Sequence, residues 1–135
     1  LLKDPLYEEF VVDSIQPIIK ADLVRFVDLN EQITKEVKLE PTLGHTPGHI
    51  SILIESEGNK AAITGDFLHH PSQMEKLEWK SIVDWDKDLA IKTRKSKLQE
   101  YSNEDILVFG THFASPSAGY VVKKGSHFEF KVHKK

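Results

Sequence analysis

The 135-residue chain has no cysteine. This excludes disulfides and thiolate metal sites, so any metal site must draw on histidine, carboxylate and water. It has no long apolar run either. Its apolar stretches are a few residues long, such as Ile50 to Ile54 with Ser51 inside, against the ~20 that a membrane-spanning helix needs. Positive charge is not in excess: 18 Lys and Arg against 21 Asp and Glu give a net charge of −3. No global positive field therefore favours nucleic acid or an anionic membrane, and neither is expected as a partner. The lysines near the end (Lys123, Lys124, Lys131, Lys134, Lys135) read as a solvated tail. Methionine occurs once, at Met74, and the first residue is Leu1. The expectation is a piece of a longer protein or a processed product. No signal peptide is visible, and the cytoplasm is the default expectation for compartment.

What is present is histidine: His45, His49, His69, His70, His112, His127 and His133. The chain reads as one mixed α and β domain, without repeats or a low-complexity linker. Residues 5–20 have roughly helical apolar spacing (Leu6, Phe10, Ile15, Ile18, Ile19). Pro17 lacks the donor for the carbonyl four residues back, so a helix there is expected to kink or restart. Strands are predicted at 23–27, 33–43, 50–55, 61–64 and 106–109, with a closing hairpin of 119–122 and 128–132. A helix is predicted over 88–101, with Asp84 or Asp86 as its N-cap. Arg94 falls near the apolar stripe of that helix. A buried arginine needs a partner, and Asp84 or Asp86 is the natural one.

Three segments share a design. In Gly44-His45, Gly65-Asp66 and Gly110-Thr111-His112 an apolar strand ends, and a glycine precedes a metal-competent side chain. Strand ends hold side chains rigidly at one edge of a sheet, and glycine allows a sharp turn into a site. The ligand candidates are 21 and 46 residues apart, so a site could assemble only through tertiary folding. Neutral imidazole and carboxylate suit Zn²⁺, Fe²⁺ or Mn²⁺.

The run Gly44-His45-Thr46-Pro47-Gly48-His49-Ile50-Ser51, then Thr64-Gly65-Asp66, then Gly110-Thr111-His112-Phe113, resembles the second half of the metallo-β-lactamase-fold hydrolase superfamily. Asp66 to Pro71, Asp84-Trp85-Asp86 and Arg94 look like the branch that holds lactonases and organophosphate or arylester hydrolases. The resemblance implies the second half of an αβ/βα sandwich, with a largely antiparallel, mixed sheet and flanking helices. It implies a binuclear metal-dependent hydrolase of ester, lactone, β-lactam or phosphoester bonds in small-molecule substrates. His45 would bind a first ion, Asp66 would bridge two, and His112 would bind the second. The ions would be two divalent metals, with zinc first and manganese or iron as alternatives. Asp66 and His69 are the catalytic candidates, His69 lying near the substrate or behind the metal ligands. His49 would hold the turn from behind the ligands, and His70 would be structural. His127 and His133 read as exposed strand residues, and Phe113 as packing under the metal loop.

The chain departs from the family at its strongest signature. H-x-H-x-D-H is absent, since no two histidines are two residues apart. Three ligands cannot complete two catalytic sites, each of which normally takes three protein ligands. Residues 1–135 are therefore expected to be the C-terminal portion of the domain, inactive alone, with a sheet face left open for the missing N-terminal half or for a second copy of the chain. Two other readings stand beside this one. In one, His45, Asp66 and His112 form a mononuclear two-histidine, one-carboxylate site; in the other, the chain is a non-catalytic assembly module.

Overall fold

The computed structural model describes residues 9–133. Residues 5–8 of the expected first helix, and Lys134 and Lys135, lie outside that range. Six strands form one sheet in chain order: β1 (Val37–Pro41), β2 (Ile50–Ser56), β3 (Asn59–Ile63), β4 (Leu107–Phe109), β5 (Ala118–Lys124) and β6 (His127–Val132). All neighbouring pairs are antiparallel except β3 with β4. That parallel pair requires a crossover, which carries two helices, α2 (Ser72–Glu75) and α3 (Lys87–Asn103). The expected α/β architecture with a mixed sheet is the one observed.

Strand alternation gives the sheet two different faces. One carries Glu40, Ser51, Leu53, Ala62, Val108, Val121 and Phe128, and it packs against Leu98 and Tyr101 of α3 with Met74 of α2. Ala62, Val108 and Met74 have no exposed surface. The other face carries the aligned rows Leu39, Ile52, Ile63, Phe109 and Val37, Ile54, Ala61, Leu107, Tyr120. These side chains are half-buried, apart from Phe109, which is exposed.

Helix α3 begins where its cap dictates. Asp86 Oδ1 accepts from the N–H groups of Asp88 (3.1 Å) and Leu89 (2.9 Å), so Asp86 and not Asp84 is the N-cap. Arg94 is buried as expected, but its partners differ. Its Nη1 donates to the carbonyls of Leu77 (3.0 Å) and Trp79 (2.7 Å) instead of to a carboxylate. Burial lowers its pKa, and the charge of Asp84 opposes that shift. It still pins the irregular stretch before α3, through backbone oxygens.

The N-terminal stretch forms a wide helical turn over Val11–Ile15 that restarts as α1 (Gln16–Lys20), with Pro17 in the first turn of α1. The restart expected at Pro17 is therefore present. The strand expected at 23–27 is not. That stretch has no ladder partner, and Leu23, Val24, Phe26 and Val27 are exposed. The strand expected over 33–43 is confined to β1, because the Thr34 hydroxyl accepts from the N–H groups of Glu36 and Val37 and closes a turn there.

Candidate metal centre

The three glycine-led segments converge at one edge of the sheet, and each glycine is needed where it stands. Gly44 has φ +127°, and a Cβ on it would lie 2.4 Å from the backbone nitrogen of Ala90 in α3. Gly65 has φ +57°, and a Cβ there would meet His49 Nε2 at 2.8 Å. At Gly110 the obstacle is the ring of Phe113, 2.2 Å from a Cβ. Phe113 itself is buried and packs edge-on against Phe130, the packing role expected of it.

Asp66 lies at the middle of the group, on a tight helical turn over Gly65–Phe67. Its two carboxylate oxygens face different histidines. Oδ2 is 3.3 Å from His45 Nε2, and Oδ1 is 3.1 Å from His112 Nε2. Two donor atoms sharing one tetrahedral ion at bond lengths of 2.0–2.1 Å sit about 3.3 Å apart. Both separations match that spacing, and nitrogen and oxygen donors of this kind suit a borderline divalent ion. One ring nitrogen of His69 joins His45 and Asp66 in a cluster whose donor atoms lie within 4.8 Å of one another. The His69 ring is 5.3 Å from that of His45, and it stacks on His112 at 5.1 Å. Its Nδ1 is buried without a hydrogen-bond partner. Burial lowers the His69 pKa, and His45 and His112 push the same way, so the neutral, ligating form is favoured.

His49 holds Asp66 from behind. Its Nε2 accepts from the Asp66 backbone N–H at 2.8 Å, so Nδ1 carries the proton and donates to the Thr42 carbonyl at 3.0 Å. The Thr42 hydroxyl reaches Ser51 Oγ at 3.0 Å, and Ser51 donates to the Thr64 carbonyl at 2.8 Å. Burial lowers the His49 pKa, in keeping with the neutral ring this arrangement needs. The remaining histidines lie outside the cluster. His70 Nδ1 accepts from the Ser72 N–H at 3.1 Å and closes a turn. His127 is half-buried at the start of β6 instead of exposed. His133 is exposed but lies just past the strand, edge-on to Tyr120.

The residue that the sequence reading misplaced is Asp84. Its Oδ1 is 3.1 Å from His45 Nδ1, and its side chain is 2% exposed. The signal available was a carboxylate among apolar neighbours (Ile82, Val83, Trp85), but only the tertiary fold brings it to a histidine 39 residues earlier.

No relative was found among the curated proteins. Solved structures are similar over nearly the whole chain. A hydrolase of the beta lactamase superfamily, AbOPH, superposes with a TM-score of 0.86 at 23% identity, over 94% of this chain and 44% of its own. AidC, a dizinc quorum-quenching lactonase solved with the product N-hexanoyl-L-homoserine, gives 0.81 at 26% identity, over 99% and 47%. A probable metal-dependent hydrolase from Staphylococcus aureus gives 0.72 at 17%, over 96% and 50%. The chain thus spans about half the length of these structures. The family profile of the metallo-beta-lactamase superfamily matches residues 2–112, and the chain belongs to that superfamily.

Proposed function

We propose that this chain supplies part of the binuclear centre of a metal-dependent hydrolase acting on a small ester-type substrate, a lactone foremost. The observation that carries this is Asp66, whose two oxygens face two different histidines at ligand spacing. The dizinc lactonase among the similar structures supports the metal and the substrate class. His45 and Asp66 would hold one ion, and Asp66 and His112 the other. Zinc suits these donors best. When bound, the ions supply Lewis-acid polarisation and an activated water at neutral pH. Asp66 would hold both ions, and His49 fixes its backbone through the Asp66 N–H. His69, whose ring lies against those of His45 and His112, would sit near substrate or support the ligands from behind. The remaining ligands would come from a complementary N-terminal half with its own H-x-H-x-D-H. The half-exposed apolar rows of the sheet are suited to receive that half, or a second copy of this chain. Without that completion the chain would have little or no hydrolase activity.

A second reading is favoured by the clustering of His45, Asp66 and His69. On that reading the chain alone holds a single ion with two histidines and one carboxylate, His69 taking the place expected of His112. Metal content separates the two. Two zinc ions are expected per completed protein on the first reading, and one per isolated chain on the second. His45→Ala, Asp66→Ala and His112→Ala should each lower metal content and lactone hydrolysis in the completed protein. If all three leave both unchanged, the first reading is wrong.

A further inference from the structure

We infer that Asp84 is a positioning residue for the metal ligand His45, fixing which ring nitrogen faces Asp66. The inference rests on the reading of His45 as a ligand. The two nitrogens of an imidazole point apart. His45 turns Nε2 to Asp66 (3.3 Å) and Nδ1 to Asp84 (3.1 Å). Asp84 is therefore on the far side of the ring from the cluster, where it orients the ligand without sharing its ion. By accepting from Nδ1–H it leaves the Nε2 lone pair free for metal, the arrangement by which a carboxylate fixes the tautomer of a ligating histidine.

The carboxylate is itself held in place. Its Oδ2 accepts from the Ser81 N–H at 3.2 Å, and the guanidinium of Arg94 lies close enough to feel its charge. A carboxylate this buried is stable only with such partners, so its position is narrowly defined. The same segment grips His45 at the backbone. Trp85 N–H donates to the His45 carbonyl at 3.0 Å, and Asp86 N–H to the Gly44 carbonyl at 2.9 Å. Asp86 in turn caps α3. Residues 81–86 thus tie the ligand, by side chain and by main chain, to the first turn of the longest helix. None of these contacts involves Asp66, His69 or His112, so their loss would alter one ligand and spare the others.

The test compares the full chain with D84A and D84N by zinc competition against a chelator and by imidazole NMR. In the metal-free chain, the His45 Nδ1–H signal should be slowed in its exchange with water, and D84A should lose that protection. D84A should weaken zinc binding about 10–100-fold, the range for removing such a partner. D84N keeps an acceptor at Oδ1 and should restore both the protected proton and most of the affinity. A purely structural role would lower thermal stability alike in both variants without the NMR difference. The inference is overturned if D84A keeps the protected proton, or binds zinc as the unsubstituted chain does, or if D84N falls as far as D84A. If the unsubstituted chain retains no zinc, the single-ion reading of the isolated chain fails, and the metal-free NMR comparison still decides the Asp84 contact.

Discussion

The two faces of the sheet are built from similar residues and bury them very differently. On one, Ala62 and Val108 have no exposed surface beneath Leu98 and Tyr101 of α3. On the other, Leu39, Ile52, Ile63 and Phe109 line up across four strands, with Phe109 38% exposed. The first face is a finished core. The second has the composition of one and lacks a cover among the described residues. The metal-ligand candidates lie on the turns at the edge that the two faces share. The placement of the turn at His45 depends on the covered layer through Gly44, which abuts Ala90 of α3, and through Asp86, whose N–H holds the Gly44 carbonyl.

Truncating the two faces should expose this difference most sharply. Leu98→Ala removes a side chain that is 1% exposed from the covered core. It should cost about 2–5 kcal/mol, since a cavity is left that the surroundings only partly fill. Ile52→Ala, on the half-buried row, should cost less, roughly 1–2 kcal/mol, because part of the side chain already meets water. Urea unfolding of both variants measures the gap, and equal losses would mean that the two faces are covered alike.

The link between core and site can be tested at Gly44. A Cβ there would press on the Ala90 backbone at 2.4 Å, and the φ of +127° is strained for any side chain. Gly44→Ala should cost about 1–3 kcal/mol by thermal denaturation. It should also weaken zinc binding, because the turn carrying His45 must shift. Stability lost with zinc affinity intact would separate the turn from the site.

A smaller effect is expected at the cap. Asp86→Ala leaves the N–H groups of Asp88 and Leu89 without their acceptor and should cost about 1 kcal/mol in thermal unfolding. Asp86→Asn should recover most of it, while Asp84→Asn should change the cap little.

The local signals in the sequence carried well into the structure. The convergence of the three glycine-led turns was legible because the pattern is local: a strand end, a glycine and a metal-competent side chain within three residues. The supporting role of His49 came from the family resemblance, and its hydrogen bonds to Asp66 and Thr42 agree with it. Asp84 was legible as a cap candidate and as a partner for Arg94 but not as a partner for His45, which lies 39 residues away with nothing in the intervening pattern to encode that contact. Arg94 shows the reverse case. Its burial was readable from helical spacing, but its partners are backbone carbonyls, which no residue type advertises. The strand expected over 23–27 had the right alternation and failed to form, because a strand needs a ladder partner and the pattern records only which face is apolar.

The least destabilising change tests what the open face is for. Phe109 lies in the row of Leu39, Ile52 and Ile63, and it borders the Gly110 turn that leads to His112. Phe109→Lys should alter stability by no more than about 0.5 kcal/mol, since its side chain already meets water. Its effect on association should be larger. A contiguous apolar patch rimmed by polar residues drives molecules together, and a lysine placed within it must be desolvated before two such faces can meet. The unsubstituted chain should self-associate with rising concentration in sedimentation velocity, and F109K should remain monomeric over the same range. The surface change Ser126→Lys, in the turn between β5 and β6, adds the same charge away from the patch and should leave the association unchanged. Association that survives F109K would mean that the contact runs through the exposed apolar side chains of 10–29 instead, which include Phe10, Leu23 and Phe26.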